Sequence, residues 1–287
     1  SLYSKFNDTT FYPFPYDDVS QKSGALSGNI GFVMMPGHNW RFSVLGATGY
    51  RAPNVDDMSK VFESVPGSVI VPNPDLKPEY TYNVDLSASK LIAKKLNLYA
   101  TGYYTWYNNA IVTEPSSFNG QDSIYYDGSY SQVTSSTNAG QAYIYGANAG
   151  FSVDITQIFS LSSTLNYTYG RVKTDSTDYP LDHIPPVYGR TSFNVNITKF
   201  HGEFYVVYNG WKRLDDYSPS GEDNLDQATQ YGMPAWYTLN LKLAYQINQH
   251  FQVNIGFENI TDLNYRVFAS GISAPGFNCV VALRGRL

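Results

Sequence analysis

The chain has a single cysteine, Cys279, among 287 residues. That excludes an internal disulfide and a cysteine-cluster metal site. Charge is scarce too. Charged residues make up 15% of the chain, against about 25% in ordinary globular domains. The formal net charge is -5 and no basic block stands out, so no nucleic-acid partner is expected. No window approaches the roughly eighteen consecutive apolar residues of a membrane helix. That test does not see membrane β-strands, whose apolar residues come only at every second position. Ser1 opens directly into SLYSKFNDTTFYPF, without a signal-peptide pattern. The histidines His38, His183, His201 and His250 are scattered, so no metal site is expected. No Ser/His/Asp, paired-carboxylate or glycine-rich phosphate pattern has workable spacing. The chain reads as no enzyme, with no cofactor.

Tyrosine is what the chain has in excess. There are 26, and aromatics reach 16%. An apolar ring with a polar tip suits boundaries, so a large interface is implied, with membrane headgroups, a ligand, or both.

Alternation is the second signal. In Glu79–Lys90, residues Tyr80, Tyr82, Val84, Leu86 and Ala88 face one way, and Thr81, Asn83, Asp85, Ser87 and Ser89 the other. The same period marks Gly24–Met35, Trp40–Tyr50, Lys95–Tyr107, Gln141–Asp154, Phe159–Arg171, Val187–Lys199, Gly202–Arg213, Pro234–Ile247, His250–Asn259 and Ala274–Leu287. That predicts about eleven strands of roughly 10–13 residues, each with its two faces in different media. A strand of about 11 residues is roughly 36 Å long. Tilted by about 45° it rises ~25 Å, the height of the apolar band on an outer-membrane barrel. Soluble strands are usually about 5–6 residues.

Connection lengths alternate: short at 36–39, 91–94, 155–158, 200–201 and 248–249, long at 51–78, 108–140, 172–186, 214–233 and 260–273. Short periplasmic turns and long extracellular loops are the habit of membrane barrels. The expected fold is all-β, an antiparallel up-and-down transmembrane β-barrel. Eleven strands cannot close antiparallel throughout, so the chain is expected to be part of a barrel, beginning inside an extracellular loop. The loop from Gly49 to Glu79 is read as long and without periodicity. A hairpin is expected within 108–140, and residues 1–23 read as irregular.

Three motifs sharpen this. Gly49-Tyr50-Arg51-Ala52-Pro53-Asn54 and Asn73-Pro74-Asp75-Leu76-Lys77-Pro78-Glu79 resemble the Gly-Tyr-Arg-Ala-Pro and Asn-Pro-x-Leu-Lys-Pro-Glu motifs of TonB-dependent outer-membrane receptors. Asn259-Ile260-Thr261-Asp262 with Tyr265-Arg266, and Ala274-Pro275-Gly276-Phe277 with Val281-Ala282-Leu283-Arg284, resemble the family's closing motifs. The family usually has Arg where this chain has Phe277, and Phe where it has Leu287. The resemblance implies residues 1–287 as the C-terminal part of a roughly 22-stranded barrel, with the N-terminal plug and remaining strands absent from this chain. It implies an outer-membrane receptor for TonB-dependent uptake of a scarce nutrient: an iron–siderophore or related chelate (haem, cobalamin). Implied partners are outer-membrane lipid, the missing N-terminal plug and barrel segment, the TonB complex reached through that segment, and a small nutrient ligand at the extracellular loops. Alternatives are an ungated porin-like channel, or a surface adhesin or soluble β-sandwich binding domain.

The substrate-binding candidates are Arg51 and the loop tyrosines Tyr125, Tyr126, Tyr130 and Tyr217, because exposed aromatics call for a reason. The competing reading has Arg51 fixing its strand exit and the tyrosines packing loop on loop. Asp215, Asp216, Glu222, Asp223 and Asp226 read as a solvated loop face. Parity turns Tyr103 and Tyr205 to the lumen, and Asp56–Val71 is the stretch expected to close over a ligand.

Overall fold

The structure is a computed structural model that describes residues 2–5, 18–54, 57–58, 61–65, 67–174 and 178–286. Strands β1 (Leu2–Lys5) and β2 (Asp18–Gln21) form a separate two-stranded ribbon. The main sheet opens with β3 (Gly28–Gly37) and β4 (Trp40–Arg51), followed by the short pair β5 (Phe62–Val65) and β6 (Ser68–Val71). Next come β7 (Glu79–Ile92), β8 (Leu96–Pro115), β9 (Ser123–Tyr126) and β10 (Ser129–Asp154). They are followed by β11 (Phe159–Lys173), β12 (Asp178–Pro180), β13 (Tyr188–Ile197) and β14 (Phe200–Asn209). The last three are β15 (Trp236–Gln246), β16 (Phe251–Glu258) and β17 (Asn278–Gly285). The spatial order β3-β4-β7-β8-β10-β11-β13-β14-β15-β16-β17 is one antiparallel meander of consecutive long strands. Each of the eleven expected strands is present.

One face of this sheet is apolar and bare. Phe32, Val44, Leu86, Leu165, Phe204, Val281 and Leu283 are exposed large side chains on it. The other face is polar, and its side chains bond across strands. Oγ of Ser87 meets Oγ1 of Thr101 at 2.9 Å. Thr105 donates to Asn83 at 2.7 Å, and Asn83 to Asp85 at 2.7 Å. The Tyr103 hydroxyl meets Thr168 at 2.8 Å. Further along, Arg190 donates to Glu203 at 2.6 Å, and both Arg190 and Lys242 lie over the ring of Tyr205. An apolar face open to the surroundings and a hydrogen-bonded polar face are what a lipid-facing, lumen-enclosing wall requires. A sandwich would cover its apolar face with a second sheet; here a single layer leaves it uncovered, which removes the soluble-sandwich alternative.

Several boundaries differ from the sequence expectation. The turn before β14 lies at Thr198-Lys199, two residues before 200–201. The first long strand starts at Gly28 rather than Gly24. β8 and β10 run to 20 and 26 residues. Their outer halves keep β-branched residues (Ile111, Val112, Thr113, Val133, Thr134) but lose the apolar–polar alternation, which a strand keeps only where its two faces meet different media. The loop from Gly49 to Glu79 is not structureless. Its run Ser68-Val69-Ile70-Val71 forms β6, which pairs antiparallel with β5 and parallel with β10. In the first 23 residues, read as irregular, the β1–β2 ribbon is formed; residues 6–17 lie outside the described set.

Most of the buried apolar side chains gather beyond the long-connection end of the band rather than within it. Val69, Val71, Phe118, Ile124 and Val133 make one cluster, and Ala110, Val112, Ala139, Ala142 and Val172 another. Inside the band the large apolar side chains stand on the exposed face instead of in a core.

Candidate functional site

The recurring motifs build strand exits and entries. Gly49 faces Thr81, whose hydroxyl occupies the place a Cβ would need. Arg51, next in the same run, donates to Asp57 at 3.3 Å, and Asp57 also accepts from the backbone N–H of Asn54 at 3.1 Å. In the Asn73–Glu79 run, the Asn73 side chain accepts from the Asp75 N–H at 3.0 Å and donates to the Ser136 carbonyl at 2.8 Å. Asn138 clasps Lys77 through its N–H (2.7 Å) and its carbonyl (2.9 Å). Glu79 accepts from the Ile111 N–H at 2.9 Å. These are side chains satisfying backbone groups that no ladder reaches.

Asn259 does the same at the other end of the sheet. It is buried and its φ is +48°. Its N–H donates to Asn240 at 2.9 Å, and its amide donates to the carbonyls of Leu263 (2.8 Å) and Pro275 (3.2 Å). Asp262 accepts from the Phe277 N–H at 2.8 Å, and its carboxylate leaves no room for a Cβ at Gly276. The Asn-x-x-Asp and Pro-Gly elements of the closing motif therefore interlock, which fixes how β17 starts.

Two assemblies stand on these exits. The first is the outer half of β8 and β10 with β9, β5 and β6. The tip tyrosines Tyr125 and Tyr130 form an edge-to-face pair at 5.5 Å with both rings exposed, while Tyr126 packs against the Val69–Val133 cluster.

The second assembly joins residues 181–184, 210–235 and 259–277. It is irregular backbone, with 3-10 turns at Leu214–Asp216 and Leu225–Gln227. Asp223 sits at its centre, 2% exposed. It accepts from the N–H of His183 at 2.8 Å and of Ser218 at 3.2 Å, with Nδ1 of His183 at 3.3 Å. Lys212, 5% exposed, donates to the Ile184 carbonyl at 2.6 Å and lies over the Phe268 ring. Burial lowers the Lys212 pKa, opposed by Asp223 and Asp216. The Asn224 side chain donates to the Ala269 carbonyl at 2.8 Å and ties the two long connections together. So the acidic run is not wholly the solvated face expected from its composition. Asp223 is internal, because three irregular segments meet there without ladders and their N–H groups need an acceptor.

Between the two connections lies a cavity of about 370 Å³, lined among others by Tyr217, Gln227, Trp236, Tyr265, Arg266 and Ser270. Trp236 and Tyr265 meet ring against ring at a 40° tilt, with centroids 4.3 Å apart. Tyr217 is 8% exposed and packs on Phe268, so it is not the exposed loop aromatic the sequence suggested, though it does line the cavity. Burial, then Asp223, raises its pKa against the opposing effect of Arg266. Burial, then Glu258 and Tyr205, does the same for Tyr265. Both hydroxyls stay protonated at neutral pH. The candidate residues are thus divided. Tyr125, Tyr126 and Tyr130 share the first assembly, Tyr217 belongs to the second, and Arg51 stands at the exit of β4. Arg266, Trp236 and Lys212 were missed as cavity and loop-core residues. Only Tyr265-Arg266 carried a signal, as part of the closing motif.

Residues 3–260 match the family model described as TonB dependent receptor-like, beta-barrel. The chain belongs to this family. A curated relative, the iron-regulated outer membrane virulence protein of Vibrio cholerae, is 25% identical over 229 residues, 76% of this chain and 33% of its own length. The chain thus spans about a third of the curated relatives it matches. Among solved structures, the siderophore receptor PirA from Acinetobacter baumannii is similar with a TM-score of 0.71 at 17% identity, covering 93% of this chain and 42% of that one. A variant of the ferric enterobactin receptor PfeA from Pseudomonas aeruginosa gives 0.69 at 16%, covering 94% and 40%. The copper transporter OprC gives 0.68 at 18%, covering 90% and 39%. As a TonB-dependent receptor barrel the chain is an outer-membrane protein and no enzyme, with its long connections extracellular and its short turns periplasmic.

Proposed function

We propose that this chain supplies barrel wall and extracellular loops to a receptor that imports a scarce nutrient, with energy from the TonB complex. The proposed ligand is an iron–siderophore or a related chelate such as haem or cobalamin. The observation that carries this reading is the pre-tied extracellular cavity beside the polar face of β14–β16, with Tyr265 lining both it and a smaller cavity among Tyr205, Thr238 and Asn240. Ligand capture outside and a polar lumen below are what such import needs. The names of the relatives, iron-regulated, siderophore receptor and copper transporter, agree with a metal chelate.

The same reading makes residues 1–287 the C-terminal part of the barrel. A plug and the remaining strands lie elsewhere in the whole protein, and TonB is engaged through that segment. In its support, β3 and β17 have no second neighbour among the described residues and run in the same direction. They cannot pair antiparallel with each other, so an odd number of further strands would close the ring. Arg51, Tyr125, Tyr126, Tyr130 and Tyr217 are proposed ligand contacts. Exposure favours Tyr125 and Tyr130, and the cavity favours Tyr217.

Growth of a deletion strain on single iron, haem, cobalamin or glycan sources tests this. Loss on one source, reproduced when the TonB complex is inactivated, supports it. Equal growth on every source removes nutrient import as the role. Loss that is independent of TonB turns the reading to an ungated channel.

A further inference from the structure

We propose that the cavity between residues 210–235 and 259–277 is a subsite for a carboxylate, presented by a small organic acid or by one arm of a larger chelate, with Arg266 as its anchor. At about 370 Å³ it is small for a whole chelate, near the lower end of the roughly 300–1,000 Å³ of ligand pockets. Its walls are already fixed: Asn224 bonds Ala269, and Arg266 donates from Nη1 to the Gln227 carbonyl at 3.3 Å and to the Gln227 side-chain oxygen at 2.9 Å. Little ordering would be left for a ligand to impose.

The chemistry follows from which lining groups are already occupied. Thr229 donates to the Gly232 carbonyl at 2.6 Å and accepts from the Tyr231 N–H. Ser270 donates to the Ile272 carbonyl at 2.9 Å and accepts from its N–H. The Gln227 amide donates to Asp226 at 2.7 Å. The Asp223 carboxylate is engaged by His183 and Ser218. A sugar needs donors and acceptors in mixture; with Thr229, Ser270 and Gln227 engaged, the neutral lining groups left for it are Tyr217, Asn264, Tyr265 and Ser273, and none of them carries charge. Among the described residues Arg266 is the one cation in the lining. It uses only Nη1 and has no carboxylate partner among the described residues. A guanidinium has five N–H donors, and the side that carries Nε and Nη2 is the fork that takes a carboxylate through two parallel bonds. A second donor lies in the wall. Nε1 of Trp236 is buried without an acceptor among the described residues. Its ring leans on Tyr265, so a ligand oxygen reaches it only by shifting that pair, which makes it the lesser contributor.

The binding claim deepens the receptor reading and rests on it only for what the ligand is used for. The test is calorimetric titration of the whole receptor in detergent with citrate, glucose and catechol. Citrate is expected to bind saturably and at least about tenfold more tightly than the other two, since a charge-assisted pair is the strong contact available. Arg266→Gln should weaken citrate about tenfold, Arg266→Lys should recover part of the loss, and Trp236→Phe should weaken it a few-fold. No saturable citrate binding to the unaltered receptor overturns the proposal. So does glucose or catechol binding as well as citrate, a comparison that needs no variant. Equal citrate affinity in Arg266→Gln also overturns it. Normal citrate binding in a receptor that supports no uptake would remove the import reading and leave the subsite standing; uptake without carboxylate binding would do the reverse.

Discussion

Above β8 and β10 the extracellular structure continues the sheet, and Val69, Val71, Phe118, Ile124 and Val133 close a dry cluster against it. Above β14–β16 the chain leaves the ladders and gathers around Asp223 and Lys212, both almost wholly buried. Hydrophobic burial holds the first assembly, and it is insensitive to direction. Charge-assisted hydrogen bonds to backbone hold the second, and they fail sharply when one partner is removed. The difference also divides the work. A sheet extension makes a stiff stalk with tyrosines at its tip. Irregular chain around a buried carboxylate leaves a cavity with polar walls.

Removing the carboxylate separates the two most widely. Asp223→Ala leaves the N–H groups of His183 and Ser218 without their acceptor and takes away a negative charge that favours buried Lys212. A loss on the order of 3 kcal/mol in local stability is expected. Hydrogen exchange should rise across 181–184, 211–233 and 263–273, and not at 123–133. Equal protection in the variant would mean that Asp223 does not organise these segments.

The converse is smaller. Val133 is fully buried in the first cluster, and Val133→Ala should cost about 2 kcal/mol there, read as faster proteolysis around 116–124. Combined with Asp223→Ala, the two effects should add within about 0.5 kcal/mol, since they share no partners. A larger coupling would show the assemblies to be one unit. Gly276→Ala comes next, because its Cβ contests the space of Asp262. The expected cost is about 1–2 kcal/mol, seen as loss of exchange protection at the Phe277 N–H and not in β16.

The two assemblies also differ in how far their sequences announce them. The long strands were legible because lipid on one side and lumen on the other impose period 2, as in Tyr82-Val84-Leu86 against Asn83-Asp85-Ser87. The β9–β10 hairpin was legible in part from the Tyr- and Ser-rich run over 122–138. β6 was not. Four residues give no period, and its parallel partner in β10 is more than sixty residues away. The second assembly was the least legible. Burial of Asp223 depends on where three irregular segments converge, and nothing local distinguishes it from Asp215, Asp216 or Asp226. Tyr217 misled for the same reason, since its ring is covered by Phe268 from another connection. The motifs were visible as resemblance, but their cause, such as Asp262 filling the space beside Gly276, appears only in three dimensions.

The smallest expected effect tests whether charge in the second assembly is balanced. Burial raises the Glu222 pKa, as do the carboxylates of Asp182 and Asp223, against the opposing effect of His183. A folded-state value above the unfolded one means the native loops bind the Glu222 proton more tightly. That contribution is complete below the ordinary glutamate value of about 4.3 and is lost as pH rises through the raised one. At neutral pH the ionised group is therefore a liability. Glu222→Gln should make residues 211–233 modestly more protease-resistant at neutral pH. The gain should shrink as pH is lowered toward about 4, where the native side chain is also neutral. The β9–β10 tip, far from any carboxylate of this group, should show no such pH-dependent difference. A gain that grew on acidification would mean that Glu222 accepts hydrogen bonds in its charged form, and that the second assembly needs its full acidic complement.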